Sequence, residues 1–172
     1  MKIRLASLDD LEAIYAIEIA NFSAEEAIPK DILVDHIQKI PTSFLVAEEE
    51  GQVLGYLEGP VVKERHLKDS SFTAVEDWSQ EPGGYISITS LSIAPAAQSR
   101  GLGKILLAEM KKIAQRDGRV GINLTCHDYL IAYYEKYGFV NEGLSQSIYA
   151  GEVWYDLVWD NPDIKHTEGS KL

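Results

Sequence analysis

The fold is decided by residues 85–116, which read YISITSLSIAPAAQSRGLGKILLAEMKKIAQR. Residues 85–94 alternate apolar and polar side chains, which is typical of a half-buried strand, and Pro95 ends the alternation. From Lys104 to Arg116 the apolar residues recur at helical spacing with lysines and a glutamine between them. The sequence therefore predicts a strand, a short glycine-containing loop and an amphipathic helix in direct succession.

The loop between them, QSRGLG at 98–103, has the composition of an anion site. The first turn of a helix has backbone N–H groups without intrahelical partners, and glycines let a phosphate approach them closely. A Walker loop is excluded, because Gln98 stands where it needs a glycine and Ile105 follows Lys104 where it needs Ser or Thr. A dinucleotide fingerprint is excluded because its third glycine is replaced by Leu106.

The flanking sequence predicts a single mixed α/β domain with the element order βααββ-loop-βαβαββ. We expect this domain to cover residues 1–160 and a polar C-terminal tail to cover 161–172. The other predicted elements are a strand at 2–6, helices at 7–20 and 29–40, a hairpin at 43–59, a long loop at 63–82, a strand at 120–126, a helix at 129–137 and strands at 139–145 and 153–159.

Composition and charge exclude several classes of function. The chain has 172 residues, of which 45% are hydrophobic and 25% charged, as in ordinary globular domains. Its 16 basic and 27 acidic residues give a net charge of −11, which argues against binding nucleic acid or an anionic membrane and is compatible with a cationic ligand. The single cysteine, Cys126, excludes an intramolecular disulfide and a cysteine-rich metal site, and we expect no metal. The N-terminus lacks a signal-peptide pattern and no stretch resembles a membrane span, so a cytoplasmic location is expected.

Two motifs in this element order resemble the GNAT superfamily of acetyl-CoA-dependent N-acetyltransferases. One is Gln-x-x-Gly-x-Gly at 98–103, and the other is YYEKYGF at 133–139. The resemblance covers about residues 2–159 and implies a mixed sheet flanked by helices. Further segments resemble the arylalkylamine (serotonin) N-acetyltransferase branch: KER at 63–65, GG at 83–84, TCHD at 125–128 and the stretch from 147 to 157.

This resemblance implies the residues of the site. Acetyl-CoA would be the co-substrate, and Tyr134 would be the catalytic general acid that protonates the leaving thiolate. Tyr133, Tyr137 and Phe139 are expected in the core. The residues implied in coenzyme binding are Leu91, Ser92, Ile93, Gln98, Ser99, Arg100, Gly101, Leu102, Gly103 and Lys104.

The proton path departs from the arylalkylamine branch, which carries two histidines on the central strand. Ser87 and Thr89 occupy those places here, so we consider His127, Ser87 and Thr89 as candidates for a proton relay. A nucleophilic dyad of Cys126 and His127 is disfavoured, because adjacent strand residues point to opposite faces. Cys126 is expected to be a small buried residue.

The expected function is transfer of an acetyl group from acetyl-CoA to a primary amine, specifically a small arylalkylamine-like molecule. Two alternatives remain open. One is a protein N-terminal or lysine acetyltransferase on the same fold, and the other is a coenzyme-A-binding domain without catalysis. Tyr134 favours activity, whereas the missing histidines keep the non-catalytic alternative open. The expected partner is a small-molecule amine bordered by residues 21–30 and 63–82, with no nucleic acid or membrane, and a homodimer is compatible with the sequence.

Overall fold

A computed structural model describes residues 1–73 and 75–165, so residues 166–172 of the predicted tail lie outside the described residues. The helices are α1 (Leu11–Asn21), α2 (Lys30–Lys39), α3 (Leu102–Arg116) and α4 (Ile131–Lys136). The strands are β1 (Lys2–Leu5), β2 (Phe44–Glu49), β3 (Gln52–Glu58), β4 (Val61–Val62), β5 (Tyr85–Ile88), β6 (Ser90–Ile93), β7 (Gly121–Cys126), β8 (Val140–Leu144) and β9 (Tyr155–Asp160). The predicted mixed α/β order is confirmed, with β4 as an addition inside the region after the hairpin.

The strand predicted over 85–94 is broken at Thr89 into β5 and β6, which belong to different sheets. One sheet has the order β1-β2-β3-β6, and the other has the order β4-β5-β7-β9-β8. β5 pairs in parallel with β7, whereas β6 pairs antiparallel with β3. A single stretch of chain therefore passes from one sheet to the other at Thr89, where two consecutive polar residues, Thr89 and Ser90, shift the phase of the apolar–polar alternation.

The segment that joins β3 to β4 forms hydrogen bonds with the chain at the end of β5 and at the break, and so holds β5 and β6 in line along one edge. The Thr89 N–H donates to the Glu58 carbonyl at 2.9 Å, and the Ser87 N–H donates to the Pro60 carbonyl at 2.8 Å. A Cβ at Gly59 would clash with the Ser87 carbonyl oxygen, so this close approach requires glycine. On the opposite edge, β7 pairs with β5 but not with β6, so the two sheets separate there.

The helices cover opposite faces of the first sheet. Leu45 and Ala47 of β2 belong to the core that includes α3, whereas Phe44 and Val46 belong to the core that includes α1 and α2. This division follows from the alternation of side chains along a strand. In residues 1–73 and 75–165 no helix is both long and apolar enough to cross a bilayer. The core reaches into the start of the predicted tail, because buried Asn161 donates to the Arg119 carbonyl at 2.8 Å.

Candidate active site

A cavity of about 810 Å³ opens where the two sheets separate, between β6 and β7. Its walls come from α1, the break at Thr89, the loop before α3, the end of β7 and α4. Twelve of the predicted site residues line it: Thr89, Leu91, Ser92, Ile93, Gln98, Ser99, Gly101, Leu102, Gly103, Lys104, His127 and Tyr134. One cavity thus unites the glycine loop with the aromatic motif of α4.

Two predicted site residues lie outside this cavity lining. The Ser87 side chain is fully buried, and its Oγ donates to Asn123 Oδ1 at 2.5 Å. The Arg100 guanidinium points to the hairpin turn, where Nη2 lies 2.7 Å from Glu49 Oε2 on the protein surface. The relay through Ser87 is therefore corrected, because its buried hydroxyl is engaged elsewhere. Coenzyme binding by Arg100 stays a prediction, since its ion pair with Glu49 lies on the exposed surface.

The loop before α3 exposes backbone donors to the cavity. Gly101 has φ +79°, a left-handed conformation that favours glycine, and its carbonyl accepts the first intrahelical bond from the Ile105 N–H at 3.2 Å. The N–H groups of Leu102, Gly103 and Lys104 precede that bond and have no intrahelical acceptor. A Cβ at Gly103 would clash with the Tyr133 hydroxyl. The N-terminus of α3 thus offers free N–H donors and the positive end of the helix dipole, which both favour binding of an anionic group such as a pyrophosphate.

Asn21, at the end of α1, ties this loop to β6 and was missed by the sequence analysis. Its Nδ2 donates to Ser92 Oγ at 2.7 Å and to the Ile93 carbonyl at 2.6 Å. Its Oδ1 accepts from Gln98 Nε2 at 3.3 Å. Gln98 is therefore held at the rim of the cavity by Asn21, which is far away in the sequence, and by the nearby Ile93 carbonyl at 3.2 Å.

The outer edge of β6 provides further backbone groups. β6 is the last strand of its sheet, so one of its edges has no strand partner within the described part of the chain. Leu91, Ser92 and Ile93 line the cavity along that strand. A backbone N–H at such an edge suits an oxyanion that forms during acyl transfer.

Tyr134 lies on the cavity wall opposite this edge. Its side chain is only 8% exposed, and its ring makes edge contacts with Tyr133 at 5.1 Å and Phe139 at 5.7 Å between centroids. Burial raises the pKa of Tyr134, so its hydroxyl keeps the proton at neutral pH. Of the residues expected in the core, Phe139 is buried, and Tyr133 and Tyr137 are half-buried residues that pack against the core and also line the cavity.

The cysteine and histidine at the end of β7 do not form a catalytic pair. Burial raises the pKa of the Cys126 thiol to about 12, so it remains protonated and weakly nucleophilic. His127 Nε2 lies 3.2 Å from Glu26 Oε2, and its ring stacks on Trp154 at 4.2 Å. His127 is thus part of the cavity wall with a carboxylate partner of its own.

Aromatic rings form the wall beyond Tyr134, which we call the acceptor half of the cavity (Phe22, Phe72, His127, Tyr149 and Trp154). Phe72 and Tyr149 stack at 4.2 Å with an interplanar angle of 11°. Both loops expected beside the amine pocket reach it, through Phe22 from residues 21–30 and Phe72 from residues 63–82. Tyr149 and Trp154 were not singled out, although they lie in the stretch from 147 to 157 that resembles the arylalkylamine branch, because that resemblance assigned no residue of the stretch to the site.

Two buried carboxylates, Glu18 and Glu58, form hydrogen bonds with the residues at the break between β5 and β6. Glu18 borders the cavity and accepts hydrogen bonds from the Tyr56 hydroxyl, from Ser90 Oγ at 3.0 Å and from the Ile28 N–H at 2.9 Å. Glu58 accepts from Thr89 Oγ1 at 2.5 Å and lies 2.9 Å from His36 Nδ1. The Thr89 hydroxyl thus connects the cavity to a fully buried His–Glu pair.

Comparison with known proteins identifies a family. The model of the acetyltransferase (GNAT) family matches residues 11–139. The protein named "Probable glucosamine 6-phosphate N-acetyltransferase 2" from Oryza sativa subsp. japonica is 30% identical over 106 residues. The match covers 61% of this chain and 64% of that relative, so it spans less than two thirds of the relative's length.

Solved structures share the fold over almost the whole chain. The GNAT-like decarboxylase GphF, in complex with isobutyryl-CoA, superimposes with a TM-score of 0.81 at 17% identity and covers 94% of this chain and 100% of its own. The yncA protein from Salmonella typhimurium, solved with its cofactor acetyl-CoA, has a TM-score of 0.69 at 20% identity and covers 98% of both chains. One of these structures is named a decarboxylase and the other an acetyltransferase, so their similarity shows a common fold. The reaction has to be inferred from the residues of the site.

Proposed function

This chain belongs to the acetyltransferase (GNAT) family, and on that premise we propose that it is an acetyl-CoA-dependent N-acetyltransferase acting on a small primary amine with an aromatic group. The observation that carries the proposal is the single cavity that joins the helix start at 101–104, the free edge of β6 and the Tyr134 hydroxyl. These are an anion site, an oxyanion site and an acid, which are the parts that acetyl transfer from a thioester requires.

The proposed mechanism is direct attack of the amine on the thioester. The pyrophosphate of acetyl-CoA binds the free N–H groups at the start of α3, and the thioester extends along β6 toward Tyr134. A β6 N–H stabilises the oxyanion of the tetrahedral intermediate. Tyr134 then gives its proton to the departing thiolate, consistent with the raised pKa that keeps it protonated. The protonated Cys126 thiol argues against an acetyl-cysteine intermediate.

Two features of the acceptor half support an aromatic amine as the substrate. Its wall consists largely of aromatic rings, and the buried Glu18 carboxylate borders the cavity beside it. The lysines of the cavity, Lys104 and Lys136, lie instead on α3 and α4. A sugar phosphate such as glucosamine 6-phosphate needs cationic side chains, and the acceptor half offers only His127, which already faces Glu26.

A panel of acceptors tests this proposal by thiol release from acetyl-CoA. Tyramine and tryptamine should exceed ethylamine, the matched amine without a ring, by at least about tenfold in kcat/KM, because burying an aromatic ring is worth about 1.5–3 kcal/mol. They should also exceed peptides with free N-termini or lysines, and glucosamine 6-phosphate. A preference for a peptide or for the sugar phosphate would overturn the substrate assignment. Binding of acetyl-CoA without transfer to any acceptor would favour the non-catalytic alternative.

A further inference from the structure

We propose that Glu18 binds the ammonium group of the substrate and takes its proton before acetyl transfer. The proposal rests on the function proposed above and identifies the base that the sequence analysis sought on the central strand and at His127. Glu18 lies on α1, whose sequence pattern predicts only a helix. Its place at the cavity is visible only after α1 packs against β3 and β6.

The hydrogen bonds of Glu18 leave its charge without a cation. The side chain is 1% exposed, and its three donors are the neutral groups of Tyr56, Ser90 and Ile28. Oε2 accepts a single bond, from the Ile28 N–H, so it keeps capacity for a further donor. A carboxylate removed from water without a cationic partner is costly, and a substrate ammonium at the cavity wall would supply the missing partner.

The neighbouring carboxylates are already engaged. Glu26, which also lines the cavity, lies 3.2 Å from His127 Nε2. Glu58 is bonded to His36 and to Thr89. The Thr89 hydroxyl, at a place where the arylalkylamine branch has a histidine, therefore donates to a carboxylate that already has a histidine partner. Glu18 is therefore the cavity carboxylate that has no basic side chain among its hydrogen-bond partners in the described part of the chain.

The electrostatic surroundings of Glu18 make it a stronger proton acceptor than an exposed carboxylate. Burial raises the pKa of Glu18, and the nearby charge of Glu58 acts in the same direction. Hydrogen bonds from Tyr56, Ile28 and Ser90 oppose this shift. The other titratable groups that face it are His36 of α2, which is paired with Glu58, and Tyr149 of the acceptor half.

The proposed step balances in protons and electrons. Glu18 takes one proton from the substrate ammonium, and the nitrogen lone pair attacks the acetyl carbonyl carbon. As the carbonyl reforms, the C–S bond breaks and the sulfur takes the Tyr134 proton. The new amide nitrogen returns its extra proton to the Tyr134 phenolate, and Glu18 releases its proton to water. The products are the acetamide, free coenzyme A and one proton.

The test is kcat/KM against pH for wild type, Glu18→Gln and Glu12→Gln, with tyramine as substrate. An alkylammonium has a pKa of about 10.4, so the free amine is scarce at pH 7 and abundant near pH 10. We expect Glu18→Gln to lose about a hundredfold at pH 7, at the lower end of the usual effect of a general base. The loss should shrink toward pH 10, where the substrate no longer needs a base. Glu12→Gln, an exposed position on the same helix that pairs with Lys30, should match wild type.

A second variant keeps the test informative if Glu18→Gln folds poorly. Tyr56→Phe removes a hydrogen bond that lowers the pKa of Glu18, so the acid limb of kcat/KM should move to higher pH. Each variant must retain wild-type affinity for acetyl-CoA by calorimetry. Two results together would overturn the role of Glu18 alone. One is that Glu18→Gln shows no deficit in kcat/KM, or a deficit that stays constant from pH 7 to 10. The other is that the acid limb of Tyr56→Phe stays at the wild-type pH. Absence of transfer by the wild-type protein to every amine would overturn the proposed function as well.

Discussion

Replacing Tyr134 by phenylalanine is expected to lower kcat by about 10²–10⁴-fold, the usual range for loss of a positioned acid. The substitution keeps the ring, so its edge contacts with Tyr133 and Phe139 should survive. Within the described residues the Tyr134 hydroxyl has no hydrogen-bond partner, so its removal should disturb neither the fold nor acetyl-CoA affinity. Loss of kcat with binding intact is the signature of an interaction made mainly in the transition state.

The measurement is kcat from pH 6 to 10 for both proteins, with acetyl-CoA affinity measured in parallel. Because burial raises the pKa of Tyr134, no loss of activity from its ionisation is expected up to pH 10 in the wild type. Tyr137→Phe is a matched control: it removes a hydroxyl from the same short segment, on a half-buried ring that also lines the cavity. It should retain most of the activity. Superimposable profiles of wild type and Tyr134→Phe would exclude Tyr134 as the acid.

Replacing Gly103 by valine is expected to weaken acetyl-CoA binding by about 10²–10³-fold. A side chain there meets the Tyr133 hydroxyl and occupies the approach to the free N–H groups of α3. Loss of two hydrogen bonds to a charged group, at about 1.5–2 kcal/mol each, gives a change of this size. The affinity is measured by calorimetric titration of acetyl-CoA, which should show one site per chain in the wild type.

Two further variants separate blocked binding from misfolding. Ile105→Val changes the same helix outside the cavity lining and should leave the affinity unchanged. Gly103→Ala introduces only the Cβ, which Tyr133 must accommodate, and should give a smaller loss than valine. Wild-type affinity in a folded Gly103→Val protein would rule out the helix start as the pyrophosphate site.

The local sequence predicted the elements of the cavity but not how they meet. Periodicity identified the strand, the loop and the helix at 85–116, because each is specified by residues close in the chain. The break at Thr89 was not predicted, although the consecutive polar residues Thr89 and Ser90 shift the alternation there, because such a shift does not tell which sheet each half of the strand joins. The cavity depends on that break, and hence on strand pairing between distant segments.

The site residues divide in the same way. The glycine loop and Tyr134, which line the cavity, could be singled out from the sequence because each lies in a short motif with a fixed place on its element, and their roles stay predictions. Arg100 was expected among the coenzyme-binding residues, and its ion pair with Glu49, 51 residues away, could not be read from the loop. Asn21 and Glu18 were missed for the converse reason: each lies within an ordinary helix and acquires its contacts with β6 only through packing.

The most direct test of the whole account is a single-turnover reaction in which the enzyme is in excess over acetyl-labelled acetyl-CoA and tyramine is present. Direct transfer predicts that the label appears in N-acetyltyramine at the rate at which free coenzyme A forms, with no label on the protein at any time. Label that passes through the protein would contradict direct attack. Label released as acetate, or left in acetyl-CoA, would contradict the assignment of this chain as an amine acetyltransferase.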